Sequence, residues 1–244
     1  FMSTPFDVES AHFLNDLMPI FKVSSSDLTN IPFIEIMCDF GKPMILSTGA
    51  SYLWEIHQAV EAITKKGNQL CLMHCVLNYP TPDANANLGM IKSLIRHFPE
   101  HIPGYSDHTL PKDMEVMKMA TLLGAAVIEK HFTHDKSLPG NDHYHAMDKE
   151  DMKHFNQLMD RSFELLGSFE VRALEDEAPA RANARRSLVA AKEIPQGKII
   201  ERSDLTWKRP AKGVSPKDID QVVGKVAVKT IEEDEIIKWN AIES

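Results

Sequence analysis

Residues 102–133 read IPGYSDHTLPKDMEVMKMATLLGAAVIEKHFT and contain the pattern from which the fold class can be predicted. An apolar run with a polar end (Ile102–Thr109) is followed by an amphipathic stretch (Pro111–Gly124) and then by a second such run (Ala125–Thr133). Strand-like runs that alternate with helical periods predict βαβ units and a parallel sheet. Because the runs are apolar throughout rather than at every second residue, we expect strands buried on both faces.

The same unit recurs upstream and downstream of this stretch. The additional strand-like runs are Pro19–Ser25, Pro43–Gly49 and Gln69–Leu77, and the additional helical stretches are Ser51–Lys66, Asn85–Phe98 and Lys149–Gly167. Each apolar run ends in polar residues, as expected when chemistry is placed at the carboxyl ends of parallel strands. A doubly wound open sheet would also fit the alternation, but it usually carries a Gly-rich phosphate loop, which the sequence lacks. We therefore favour a (β/α)8 TIM barrel.

This section contains five strands rather than eight. Phe1–Phe6 is a candidate tail of a sixth strand, followed by a helix at Asp7–Leu17. A complete barrel takes about 250 residues. We therefore expect the later two-thirds of a TIM barrel over residues 1–167, lacking its first strands, which either precede Phe1 in a longer chain or are truly absent.

A second, smaller domain is expected at the carboxyl end. Residues 168–186 are charged, rich in alanine and without an apolar stripe, and we interpret them as a linker. Residues 187–244 contain short β-like pieces with an internal echo, since AKEI (191–194) followed by Ile199-Ile200 matches VKTI (228–231) followed by Ile236-Ile237. This echo predicts a small pseudo-symmetric β module.

Composition excludes several classes of protein. The 244 residues carry a formal net charge of −8, and no basic stripe offsets it, which argues against a nucleic-acid partner. No apolar run approaches the ~18–20 residues of a membrane span, and the first residues do not have the pattern of a secretory signal. Three cysteines without metal-finger spacing fit a reducing compartment, so we expect a cytoplasmic protein.

The strongest candidate constellation is Ser106-Asp107-His108 together with Glu129-Lys130-His131. Both histidines stand at the ends of consecutive predicted strands, where their imidazoles could converge on one cation. Two imidazoles with water and substrate oxygens suit an octahedral Mn²⁺-like ion better than tetrahedral zinc. The alternative is that one of the two is a buried structural histidine, and the nearby His134, His143 and His145 leave the ligand choice open.

A second constellation surrounds Lys22. Ser24-Ser25-Ser26 follows this lysine, and Ser47-Thr48-Gly49 ends the next predicted strand. A lysine with hydroxyls and loop N–H groups forms a cradle for phosphate or carboxylate. The alternative is a lysine that extends to solvent at the barrel rim beside helix-capping serines.

Three further residues are weaker candidates on local grounds. Tyr79, in a loop with two prolines, could line a sugar pocket or serve only to stiffen the loop. Asp142, in a turn, could bind a polyol hydroxyl or stabilise the turn itself. Arg209, in the small module, has the features of a solvated surface residue.

Seven collinear strings and the tail resemble the sialic acid synthase family. The strings are STPFD (3–7), FKVSS (21–25), GKPMILSTG (41–49), HCVLNYPTP (74–82), GYSDHT (104–109), IEKHFT (128–133) and PGNDH (139–143). The tail from Arg186 to Ile242, with LTWKRP, is similar to that family's C-terminal antifreeze-like (SAF, β-clip) module. The resemblance implies an enzyme that condenses phosphoenolpyruvate with an N-acetylated amino sugar such as N-acetylmannosamine, forming a nine-carbon 2-keto sugar acid and releasing phosphate.

The resemblance also implies roles for individual residues. His108 and His131 would ligate a divalent cation, typically Mn²⁺ with Mg²⁺ or Co²⁺ as alternatives, and with Lys22 they would form the catalytic set. Tyr79 and Asp142 would contact the sugar, and Arg209 would reach its N-acetyl group from the partner subunit of a domain-swapped homodimer. The residues that would hold phosphoenolpyruvate are Thr4, Lys22, Ser25, Ser47 and Ser106.

The chain departs from the family pattern at three points. Asp27 stands where the family has a sugar-contacting glutamate, and Leu77 takes a place often held by a polar residue. The family's early strands also carry a second phosphoenolpyruvate-binding lysine and an acidic catalytic candidate, which these residues do not include. The alternatives are therefore a degenerate barrel that binds a sugar or phosphate without turnover, and another metal-dependent aldolase acting on a keto acid.

Overall fold

The computed structural model describes residues 1–243, which divide after Gly167 into two compact units. Among these residues no helix is both long enough and apolar enough to cross a membrane. Each unit has a hydrophobic core of its own.

Within the described residues, the first unit is built on a five-stranded parallel sheet. Its strands are Phe21–Val23 (β1), Met44–Ser47 (β2), Leu70–Cys75 (β3), Ile102–Asp107 (β4) and Val127–Lys130 (β5). Neighbours in the sheet are neighbours in the chain, in the order β1-β2-β3-β4-β5. Each strand lies inside one of the apolar runs. A doubly wound sheet reverses its strand order at a switch point, and this order has no reversal, so the barrel-type arrangement is confirmed.

Helices precede, connect and follow these strands. They are Val8–Asn15 (α1), Ile31–Cys38 (α2), Leu53–Lys65 (α3), Gly89–His97 (α4), Glu115–Leu122 (α5) and Lys149–Leu166 (α6). The sequence did not reveal α2, because its run IPFIEIMC is apolar on most sides and shows no amphipathic period. The expected strand tail at Phe1–Phe6 is wrong: these residues form no strand within the described chain, and α1 begins after Asp7, whose side chain caps it.

The sheet is curled rather than flat. In a flat sheet, β1 and β5 would lie about 19 Å apart, since adjacent strands are spaced by about 4.8 Å. Yet Lys22 Nζ on β1 lies 3.2 Å from Glu129 Oε2 on β5. The two side chains meet across the concave face, so the sheet curves as part of a barrel wall does.

Strand register shows which residues share that concave face. Lys22 pairs with Ile45, Ile45 with Cys71, and Cys71 with Ile102. Because alternate residues of a strand point to the same side, the concave face also carries Ser47, Cys75, Ser106 and Glu129. The convex face packs against helices and carries Leu46, Leu72 and Tyr105, which are almost fully buried.

The second unit has two small antiparallel sheets. Ser187–Ala190 (β6) pairs with Leu205–Lys208 (β7), and Val226–Ala227 (β8) pairs with Ile242–Glu243 (β9). Its helices are Ala178–Ala184 (α7) and Ile219–Val222 (α8). The stretch interpreted as a linker therefore contains α7, a helix with no buried residue.

The internal echo corresponds to paired structure. Ile194 N–H donates to the Ile231 carbonyl at 2.8 Å, and Ile231 N–H donates back to the Ile194 carbonyl at 2.9 Å. Ile194, Ile200, Ile231 and Ile237, the echoed isoleucines, are all completely buried in the core of this unit. The repeat thus places equivalent apolar residues from both halves into one core.

Candidate active site

A chain of polar contacts lies on the concave face of the sheet. Ser106 Oγ donates to Glu129 Oε1 at 2.7 Å, and Glu129 Oε2 pairs with the Lys22 ammonium. Burial raises the pKa of the Cys75 thiol, and the neighbouring Ser25 and Ser106 side chains oppose this shift. Ser25 Oγ also accepts the Gly49 N–H at 3.0 Å. An ammonium, two hydroxyls and a loop N–H are therefore held together, as an anion cradle requires.

Ser47 adds an unsatisfied hydroxyl to this face. Its Oγ is buried and has no hydrogen-bond partner among the described residues. Buried polar atoms without a partner are rare in native proteins and call for a bound water, ion or ligand. Ser47 is thus available to bind a polar ligand atom.

Aromatic rings cluster beyond the carboxyl ends of β4 and β5. The ring centroids of His108 and His131 are 5.2 Å apart, and those of His131 and His145 are 5.0 Å apart. Tyr79 lies over His108, at 4.1 Å between centroids, and within 6.1 Å of His145. The two histidines predicted to converge do lie together, with a third imidazole beside them.

His108 is held as a neutral imidazole with a defined orientation. Its burial lowers the pKa to about 4, the hydrogen bond to the Val76 carbonyl opposes this shift, and the nearby His131 adds to it. The Nδ1 to Val76 oxygen distance is 3.0 Å. Since a carbonyl only accepts, we assign the proton to Nδ1, which leaves the Nε2 lone pair free for a cation.

His131, Asp142 and His145 form a group that could hold a metal ion. One ligand atom from each lies within 4.8 Å of the others. Asp142 Oδ1 is 3.8 Å from His131 Nδ1 and 4.0 Å from His145 Nε2. His145 is fully buried, both of its ring nitrogens lack hydrogen-bond partners among the described residues, and burial lowers its pKa. Two imidazoles, one of them without hydrogen-bond partners among the described residues, and a carboxylate fit a divalent first-row cation.

The other predicted residues are more scattered. Thr4 is half-buried, and Asp27 is half-buried with hydrogen bonds from Ser26 and Asn30. Arg209 is exposed and directly follows β7 in the second unit. The roles of these residues remain hypotheses.

Sequence reasoning named Glu129 within its strongest constellation but assigned it no role, and it did not select Cys75 or His145. Glu129 carried a usable signal, because it stands two residues before His131 and alternation along a strand places both on the same side. His145 could not be distinguished from His134 and His143, because ring burial and distance to His131 depend on the loop path.

A cavity of about 770 Å³ borders this site between α3 and α4. Its wall includes Leu77, Tyr52, Met90, Asn85 and Ser93, and no residue of its lining carries a carboxylate, an ammonium or a guanidinium. Leu77 is therefore part of an uncharged, partly apolar wall.

The chain matches two family models, the NeuB family over residues 1–171 and the SAF domain over residues 185–243. It is 38% identical to an N,N'-diacetyllegionaminic acid synthase of Campylobacter jejuni, covering 98% of this chain and 72% of that protein. It is 30% identical to the human N-acetylneuraminate-9-phosphate synthase, covering 100% of this chain and 68% of that protein.

A solved structure gives the same result for the fold. The N-acetylneuraminic acid synthetase of Leptospira borgpetersenii, in complex with citrate, superposes with a TM-score of 0.67 at 34% identity. The match covers 72% of this chain and 61% of that one. The resemblance inferred from the seven strings is confirmed, as is a barrel-type unit followed by a SAF domain. The chain therefore belongs to the NeuB family and carries a SAF domain over residues 185–243.

Proposed function

We propose that this chain forms part of a synthase that condenses phosphoenolpyruvate with an N-acetylated amino sugar, giving a 2-keto sugar acid of the sialic acid type and phosphate. One observation carries the proposal. A cluster of three imidazoles with Asp142 stands next to a cradle built from Lys22, Ser25 and Ser106. The cradle suits an anionic phosphoester, and the cluster suits a cation that activates a carbonyl.

Phosphoenolpyruvate is assigned to the concave face. Lys22 would leave Glu129 to pair with the anion, while hydroxyls of Ser25, Ser47 and Ser106, with Thr4, donate to its oxygens. A charge-assisted contact of this kind contributes about 1.5–3 kcal/mol to binding. These contacts would hold the enol carbon at attack distance from the sugar, which lowers the entropic part of the barrier.

The sugar is assigned to the mouth above the imidazoles. Tyr79, Asp142 and Asp27 would contact its hydroxyls, and Arg209 would reach its N-acetyl group from the partner subunit of a domain-swapped homodimer. When bound at His108 and His131, a divalent cation, which we propose to be Mn²⁺, supplies Lewis acidity to the sugar aldehyde. The neutral state of His108 keeps its nitrogen available as a ligand at neutral pH.

The sugar need not be N-acetylmannosamine itself. Asp27 offers a shorter arm than glutamate, and Leu77 presents an apolar side chain beside the uncharged cavity. We infer a sugar that replaces hydroxyls with acetamido or methyl groups, as in precursors of diacetylated acids. The three cysteines, all free, are compatible with a reducing cytoplasm.

The direct test is phosphate release from phosphoenolpyruvate by full-length, Mn²⁺-loaded protein. Release is expected only when an N-acetylated amino sugar is added, with a diacetamido sugar turned over faster than N-acetylmannosamine. Tight calorimetric binding of both substrates without release would favour a non-catalytic barrel instead. Release with a simple keto acid and aldehyde acceptor, unaffected by Arg209→Ala, would favour another metal-dependent aldolase.

A further inference from the structure

A buried ion pair lies directly behind the two histidines. Lys130 Nζ is 2.6 Å from Asp107 Oδ2, and each side chain is 1% exposed. The two residues are register partners on β4 and β5. Asp107 immediately precedes His108, and Lys130 immediately precedes His131. By strand alternation, the pair belongs to the convex face, opposite the substrate cradle.

The pair has an unusually complete set of partners. Asp107 Oδ1 accepts the Tyr105 hydroxyl at 2.9 Å, the Thr109 N–H at 3.0 Å and the Thr109 hydroxyl at 2.8 Å. Lys130 Nζ also donates to the Thr109 carbonyl at 2.6 Å. Lys130 thus contacts the residue on either side of His108 while its own backbone leads into His131.

Stability alone does not account for this arrangement. Removing two charges from water costs several kcal/mol per ion, and replacing a buried pair by neutral groups of similar volume is often neutral or stabilising. The pair also restricts the orientation of the residues next to the two histidines. Lys130, which precedes His131, contacts both Asp107 and Thr109, the residues on either side of His108.

We propose that Asp107 and Lys130 are positioning residues that set the separation and orientation of His108 and His131 for a divalent cation. The inference rests on the cation site of the proposed function. Groups that support metal ligands typically change metal affinity by about 10–100-fold when altered. A similar loss is expected here, although neither residue contacts the cation.

The experiment uses Mn²⁺ alone with the full-length protein, so no turnover is needed. Mn²⁺ affinity is measured by calorimetry and by electron paramagnetic resonance in wild type and in Asp107→Asn/Lys130→Met, which removes both charges at nearly constant volume. We expect at least tenfold weaker binding and an altered resonance spectrum, with a melting temperature close to wild type. The matched control is Asp39→Asn/Lys66→Met, the same change in an exposed ion pair, which should leave Mn²⁺ affinity unchanged.

The outcomes separate the two proposals. Wild type that binds no Mn²⁺ overturns the cation site and this inference with it. If wild type binds Mn²⁺ and the affinity of the double variant is within twofold of it, this inference is overturned and the cation site stands. If the double variant does not fold, Lys130→Arg retains the charge but shifts the donor. Several-fold weaker Mn²⁺ binding by that variant supports positioning, and wild-type affinity contradicts it.

Discussion

Lys22 and Glu129 lie on the first and last strands of the parallel sheet, and their charged ends are 3.2 Å apart. On a flat sheet, the first and last of five strands would lie about 19 Å apart, too far for these two side chains to contact each other. The contact shows that curvature brings β1 and β5 to a common interior. It also places one anion, Glu129, where the proposed substrate anion would compete for the same ammonium.

Substituting the two partners should change phosphoenolpyruvate affinity in opposite directions. Lys22→Met removes the cation and should weaken binding by about 10–100-fold, on the scale of a charge-assisted hydrogen bond. Glu129→Gln removes a competing anion and should tighten binding. Calorimetry with phosphoenolpyruvate measures both, and Lys92→Met, on the exposed side of α4, is the control. Equal losses in both variants would show that the pair is structural.

Gly104 should be intolerant of any side chain. A Cβ there would stand 3.0 Å from Met73 Cγ, 3.1 Å from the Val127 carbonyl oxygen and 3.3 Å from Cys71 Sγ. Overpacking of this kind costs about 1–3 kcal/mol, so Gly104→Ala should lower the free energy of unfolding by that amount. Gly89→Ala, where a Cβ would meet nothing within 4 Å at the start of α4, should be neutral or stabilising. Urea denaturation compares the two variants, and equal stability of both would contradict the packing argument.

The second unit should lose stability in acid through Asp204. Burial raises the pKa of this completely buried carboxyl, but hydrogen bonds from Lys198, the Glu201 N–H and Lys192 outweigh it and lower the pKa to about 2. Because the folded pKa lies below the unfolded value, the carboxylate stabilises the fold above pH 4. That contribution disappears as the pH falls towards 2. It amounts to about 1–2 kcal/mol, since both lysines are partly exposed.

The variant Asp204→Asn tests this linkage. Its melting temperature should be lower than wild type at pH 7 and should fall less between pH 5 and pH 2. Fluorescence of Trp207 and Trp239 follows this unit when Trp54, in the first unit, is replaced by phenylalanine. Asp220→Asn, at an exposed pair with Arg202, is the control and should keep the wild-type profile. If Asp204→Asn shows the same dependence of melting temperature on pH as wild type, Asp204 is not the source of the stability lost in acid.

Arg209 should affect sugar affinity and not phosphoenolpyruvate affinity. In the proposed dimer, Arg209→Ala should raise the KM for the sugar about tenfold or more while the KM for phosphoenolpyruvate stays constant, because only the sugar contact is lost. Arg181→Ala, an exposed residue of α7, is the control. Sedimentation at micromolar concentration should show a dimer. A monomer with full activity would contradict a role for this residue in the partner's site.

The class of fold and the family can both be predicted from the amino-acid sequence. Apolar runs with polar ends predicted all five strands of the parallel sheet, because burial on both faces requires continuous apolar sequence. The motifs around His108, His131 and Lys22 were sufficient for the family because they are local strings. The repeated isoleucines predicted the small β module, because a repeat of this kind is visible in the sequence itself. The helix α2 was not predicted because Glu35 is the only charged residue in its run IPFIEIMC, so the sequence shows no polar stripe.

Which of these residues come into contact depends on the tertiary structure. The contact of Lys22 with Glu129 depends on how strongly the sheet curls, which is the sum of small twists over five strands. The place of His145 beside His131 depends on the path of a loop with several histidines, and no local pattern distinguishes them. The burial of Asp107 with Lys130 depends on register between strands separated by a helix. Local patterns in the sequence determine helices and strands, whereas packing determines the distances between residues that are far apart in the sequence.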